Sequence, residues 1–317
     1  GTAPATPTTD AAVPVQSGPL GTLTSPKDIL LRYNPNTDQW IRMRVNTSVG
    51  SGDRLKSLPT FRPSIALTNG LRVELADGTM VTLDRGGDGK WMLLDLAYGR
   101  VMIVNTGMDP TIIELRVGDQ SQLAEIAPAR IVALDIIRPF VPGQSPNVHV
   151  WVPQGIVYVP HGGVVWTLGG TPVAIEEAAQ WAWTEGPSAK QPFDEQVTWL
   201  NGQQLDLLDR NASWRIEQNF DTERPAGEQL LEAYEQSRRR EEKVLLAKSA
   251  IHVGQFVPFV NALADSNQHS NWDSHITDLR AAMARSPQLA ERVHETLREQ
   301  RGTVPGMADD LFEMLRG

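Results

Sequence analysis

Residues 71–83, Leu71-Arg72-Val73-Glu74-Leu75-Ala76-Asp77-Gly78-Thr79-Met80-Val81-Thr82-Leu83, carry the decision about fold. Leu71, Val73 and Leu75 alternate with polar side chains, and so do Val81 and Leu83. A period of two turns one face of a strand to a core and the other to water. Asp77-Gly78 between the two runs suits the positive φ of a tight hairpin, so strands are expected over 71–75 and 79–83.

The same texture extends in both directions. Strands are expected at 28–33, 40–45 and 64–67, then at 91–96, 100–104, 112–117 and 131–137, and finally at 148–152, 156–159 and 164–168. Asn69-Gly70 reads as a hairpin turn, and residues 84–89 (Asp-Arg-Gly-Gly-Asp-Gly) as a longer reversal before Trp91. Strands spaced roughly ten residues apart, with turn signals between them, point to a sandwich, barrel or solenoid rather than a βαβ fold.

Beyond residue 200 the apolar residues recur every three or four positions instead. A helix is expected over 228–249, and a second opens at Pro258. Trp272, Ile276, Leu279 and Met283 form a helical stripe. Ser286-Pro287 opens a helix carrying Leu289, Val293 and Leu297, and Met307, Leu311, Phe312 and Leu315 mark a last one. The expected organisation is multidomain β + α. A disordered linker over 1–19 precedes an all-β domain over 20–180; a linker over 181–204 then leads to an all-α helical domain over 205–317.

With 317 residues, 40% hydrophobic and 21% charged, the chain is long enough for about two globular domains. A net charge of −9 supplies no global basic field, which disfavours nucleic acid as a partner. The absence of cysteine excludes disulfides, thiolate metal sites and thiol nucleophiles. Residues 1–20 are rich in Pro, Thr and Ala; they read either as a trimmed terminus or as a tether from a membrane anchor upstream of Gly1.

Short motifs in the β-rich part carry a family resemblance. Gly52-Asp53-Arg54-Leu55, then Leu75-Ala76-Asp77-Gly78-Thr79-Met80-Val81-Thr82-Leu83, then Leu96-Ala97-Tyr98-Gly99-Arg100 follow in order. Leu20-Gly21-Thr22-Leu23 stands before them and Val152-Pro153-Gln154-Gly155-Ile156-Val157 after them. Over about residues 20–176 this succession resembles the FecR-type extracytoplasmic domain, with its G-D-x-L entry, L-x-D-G-[ST] hairpin and L-x-x-G-[RE] turn. The stretch from Trp272 to Arg280, with the terminal Leu-Phe-Glu-Met-Leu-Arg-Gly, resembles the helical tail of planctomycete surface proteins that carry such domains. The resemblance implies an all-β periplasmic or cell-surface domain beside a membrane anchor, acting as a scaffold or sensor in signal transduction.

The residues that bear chemistry point away from catalysis. Asp84 and Asp88 lack the remaining ligands of a Ca²⁺ loop and read as turn residues. His269, Asp273 and His275 are of metal-ligating types, but helical geometry sets Asp273 and His275 on different faces. His161-Gly162-Gly163 has no G-x-S-x-G elbow to accompany it and reads as a glycine turn. No metal or cofactor is expected. Trp181 and Trp183 share a face if extended; they either plug a seam or, with Trp151 and Trp166, offer an aromatic platform to a ligand. The expected function is a non-catalytic, FecR-like binding or signalling scaffold of the bacterial cell envelope. Its partner would be an envelope protein or a polysaccharide. The alternative is a carbohydrate-active enzyme of the envelope.

Overall fold

The structure, a computed structural model, describes residues 18–137, 154–201, 207–259 and 298. Within these the chain is mostly β-sheet, with a few helices following it. Its centre is a hairpin of two long strands, β7 (Leu71–Gly86) and β8 (Trp91–Asn105). The expected tight turn at Asp77-Gly78 is a bulge in one continuous strand. The reason is register: residues on both sides of it pair with β8, Ala76 with Arg100 and Met80 with Tyr98. Extra residues between two fixed pairings are absorbed as a bulge, which bends the strand.

The bend divides the hydrogen-bonded network into two halves. The far half of the hairpin joins β5 (Asp53–Ser57), β2 (Leu30–Asn34) and β3 (Gln39–Arg42) on one side. On its other side come β9 (Thr111–Val117), β10 (Gln120–Ile126), β13 (Val164–Leu168) and β14 (Thr171–Ile175). The near half joins β6 (Ser64–Leu67), β1 (Gly21–Leu23) and β4 (Ser48–Val49). Its other side carries β11 (Ile131–Ile137), β12 (Gln154–Val159), β15 (Ala179–Ala182) and β16 (Gln191–Pro192). All these pairs are antiparallel except β8 with β9, so the sheet is mixed.

One apolar core gathers the inward residues of both halves, among them Leu55, Leu83, Leu94 and Leu115 from one and Ile65, Val73, Ile103 and Leu134 from the other. Strand alternation explains the selection: in β9, Ile113, Leu115 and Val117 are buried while Glu114 and Arg116 between them are not. The outer strands β14 and β16 each contain a proline, Pro172 and Pro192, which blunts them as templates for further pairing.

Residues 181–201, expected as a linker, carry β16 and the buried Trp183 and Trp199. Trp199 packs with Met102, Ala133 and Tyr158 on the outer face of the near half. The breakers in this stretch shape turns over a surface rather than free it from one.

Among the described residues three helices of more than ten residues follow, α1 (Leu207–Asn219), α2 (Ala226–Gln236) and α3 (Arg240–Ile251). The single helix expected over 228–249 is broken, because Ser237 takes extended geometry at φ −68° and ψ 134°. The Ser237 hydroxyl accepts the Arg239 N–H, a local bond that competes with helix. Ala212 and Ile216 of α1 lie four residues apart, and Phe220 follows at the same spacing. They meet Ile29, Leu31, Leu58 and Phe61 in a second core. Leu30 faces the first core and Leu31 the second, so β2 is buried on both faces. The helices expected from 272 onward, the acidic and histidine residues near 270, and Trp151 lie outside the described residues.

Candidate functional site

The helices are seated by two cations from the sheet. Arg42 of β3 donates through Nη1 to the carbonyl oxygens of Glu217 (2.9 Å) and Phe220 (2.7 Å), and through Nη2 to the Glu217 carboxylate at 2.9 Å. Lys56 of β5 donates to the carbonyl of His252, just past the end of α3, at 2.5 Å. The last carbonyls of a helix lack intrahelical partners and carry partial negative charge, so a cation there satisfies and stabilises them. The bulge takes part as well: a Cβ on Gly78 would stand 2.7 Å from the His252 ring.

Beside Arg42 the seam opens into a cleft of about 460 Å³, between the β2–β3 hairpin and the loop joining α1 to α2. Arg32, Arg42 and Arg44 line it, with Asp53 as the sole carboxylate of the lining. Arg42 is nearly enclosed, whereas the side chains of Arg32 and Arg44 are 42% and 64% exposed. Arg32 reaches Asp53 at 3.5 Å and the Ser48 carbonyl at 3.4 Å, both long. Arg44 donates to Thr222 Oγ1 at 2.9 Å and also pairs with Glu223.

Buried Gln229 holds the loop that brings Thr222 and Glu223 there. Its Oε1 accepts the Asp221 N–H at 2.6 Å, and its Nε2 donates to the Asp221 and Arg224 carbonyls. Tyr33 supplies the aromatic part of the cleft. Its ring lies 5.4 Å from that of Trp40, with the Arg54 guanidinium 4.3 Å over it. The Tyr33 hydroxyl donates to Asp38 at 2.5 Å, and that bond to a carboxylate raises the phenol above its ordinary pKa.

The tryptophans singled out from sequence lie elsewhere. Trp166, Trp181 and Trp183 are buried in the first core, at 0%, 2% and 0% exposure. Trp166 meets Trp181 edge-on at 5.0 Å and Trp183 at 6.3 Å. Trp166 belongs to one half of the sheet and Trp181 to the other, so the three rings pin the halves together and present no open platform. Gln122, which the sequence reading passed over, joins them: its Oε1 accepts Trp166 Nε1 at 2.5 Å and its Nε2 donates to the Trp183 carbonyl at 3.1 Å.

A second charged cluster is structural. The Asp28 carboxyl accepts the Arg62 N–H at 2.9 Å, while the Arg62 side chain reaches Glu74 at 3.0 Å and the Trp199 carbonyl at 2.7 Å. Burial pushes Asp28 above the usual carboxylate range, with the Arg62 N–H working against it. Among the described residues no group of three or more His, Asp or Glu side chains stands close enough to hold a metal ion. Nor is any described helix long and apolar enough to cross a membrane.

No family model and no curated protein sequence matches this chain. A 2.50 Å crystal structure of a proposed anti-sigma factor from Parabacteroides distasonis is similar to it at 14% identity, with a TM-score of 0.32. The match covers 47% of this chain and 64% of that one.

Proposed function

We propose that this chain is a non-catalytic binding and signalling scaffold of the bacterial cell envelope, built on the FecR-type plan and acting in the periplasm or at the cell surface. The observation that carries this reading is the seam: strand cations hold helix ends, and an arginine-lined cleft opens at that contact. A partner bound there touches the β-sheet and the α1–α2 loop at once. Occupancy is thereby coupled to how firmly the helices sit, which is what a signalling module requires. The order of the G-D-x-L, L-x-D-G and L-x-x-G-R motifs supports the same plan. Their Gly78 and Gly99 both lie at the bend of the central hairpin.

The test is capture from a bacterial envelope fraction with the whole chain as bait, read by mass spectrometry and by sugar analysis. A stoichiometric envelope protein or polysaccharide, lost when Arg42→Ala loosens the seam, supports the reading. Turnover of an envelope glycan by the purified chain would replace it with the carbohydrate-active alternative.

A further inference from the structure

The cleft narrows the class of ligand, and this inference rests on the binding reading above. Its lining gathers three guanidinium groups in a chain whose net charge is −9, each paired with one carboxylate: Arg32 with Asp53, Arg42 with Glu217 and Arg44 with Glu223. Two of these guanidinium groups are only weakly held. Arg42 is committed to three acceptors at the end of α1. The Arg44–Glu223 pair is exposed and the half-buried Arg32–Asp53 contact is long at 3.5 Å, so a ligand oxyanion exchanges for Glu223 or Asp53 at little cost. A guanidinium fork matches an oxyanion bidentately, a carboxylate or a phosphate, and a planar carboxylate fits within one fork.

The remaining walls describe what carries that carboxylate. Asn34, Thr47 and Thr222 supply short polar side chains, and Tyr33, Ile41 and Met43 supply apolar surface. Short polar side chains beside apolar surface suit a sugar, whose hydroxyls and C–H faces need both. The volume, about 460 Å³, lies in the range of small-ligand pockets and is too small for a folded partner. An extended peptide adding to the β3 edge is disfavoured, because Ile41 already bridges to Pro225 there. We infer that the cleft between the β2–β3 hairpin and the α1–α2 loop binds an acidic sugar unit, a uronate, with Arg32 and Arg44 on its carboxylate.

The experiment is calorimetric titration of the whole chain with digalacturonate, a neutral disaccharide, glucose 6-phosphate and a tetraglutamate peptide. The expected result is digalacturonate binding that weakens with salt and is at least about ten-fold tighter than the neutral sugar, as a charge-assisted contact provides. The double variant Arg32→Gln/Arg44→Gln should lose about ten-fold or more while keeping its urea midpoint, since one pair is exposed and the other is long at 3.5 Å. Arg116→Gln, a single charge removed on β9 outside the cleft lining, should lose nothing.

Equal binding of the neutral sugar, no binding at about 10 mM ligand, or wild-type affinity in the double variant overturns the inference. Tighter binding of the sugar phosphate or of the acidic peptide overturns the uronate assignment in favour of that class. Capture of a stoichiometric envelope partner alongside failed uronate binding would leave the scaffold reading standing and sink this one alone.

Discussion

Lys56, a buried lysine on a strand, donates to the carbonyl oxygen of His252, 196 residues further along the chain. That bond ties the end of α3 to the strand beside the hairpin's bend. A hydrogen bond from a charged group contributes about 1.5–3 kcal/mol. Lys56→Met keeps most of the volume but removes the donor. It should lower stability by about 2 kcal/mol in urea unfolding, with amide exchange rising in α3 before the central hairpin. Unchanged exchange in α3 would show that the helix is held by its apolar face alone.

The bend itself depends on Thr79. Its buried hydroxyl accepts the Arg100 N–H at 2.7 Å and donates within the bulge to the Ala76 carbonyl, while the Thr79 N–H goes to Ser57 Oγ at 3.0 Å. Thr79→Val leaves the Arg100 N–H without that acceptor and should cost about 1–3 kcal/mol. Gly99 sits opposite at φ +104°, and a Cβ there would come 2.5 Å from Thr79 Cα. Gly99→Ala therefore meets both backbone strain and a backbone clash, and should cost at least ~2 kcal/mol. Urea midpoints of the two variants check both figures.

Trp166→Phe removes the donor to Gln122 and leaves a buried amide oxygen unpaired. A loss of about 2–3 kcal/mol is expected, with collapse of the near-ultraviolet circular dichroism that edge-on tryptophans produce. Gln122→Leu should restore part of the stability in the Trp166→Phe background, because it removes the orphaned amide oxygen while also taking away the donor to the Trp183 carbonyl. A double variant no more stable than Trp166→Phe alone would refute the pairing.

Alkaline pH should act through Tyr158. Burial pushes its phenol up to about 12, Asp135 adds to that, and Arg100 opposes it. A raised pKa favours the protonated form in the folded state. Its stabilising contribution is complete below the unfolded value near 10 and is lost as pH rises toward about 12, on the order of 1–2 kcal/mol. Urea midpoints measured between about pH 9 and 11.5 should fall for the wild type and fall less for Tyr158→Phe.

Acid should act through Glu114 in the opposite sense. Partial burial alone would raise this carboxyl. Hydrogen bonds from Ser121 and Trp91 and the nearby Arg116 outweigh it, holding the group below the usual range. The stability it contributes is present above the ordinary Glu pKa and is lost as pH falls through the depressed one. Ser121→Ala should shift that loss to higher pH by weakening the hold on the carboxylate.

Much of the β-rich texture was legible because alternation is local: β9 announces its buried face in Ile113, Leu115 and Val117 without reference to any partner. The change to helix past residue 200 was legible for the same reason. The Asp77-Gly78 turn was misread because a turn signal specifies backbone freedom, not whether the flanking residues share one partner strand. The sequence left the tryptophans open between a plug and a ligand platform, because a period of two says which residues share a face but not whether another sheet covers it. The cleft went unseen because Arg42 and Arg44 look like ordinary outward residues of a strand, and Thr222 is far away in sequence. What residues 71–105 determined by themselves was a strand-rich domain with special backbone at Gly78 and Gly99. Only tertiary structure decided that these glycines make one bend, that Trp166 meets Trp181 in the core, and that three arginines gather where α1 ends. Each of those depends on contacts between distant residues, whose energy is absent from any local window of the chain.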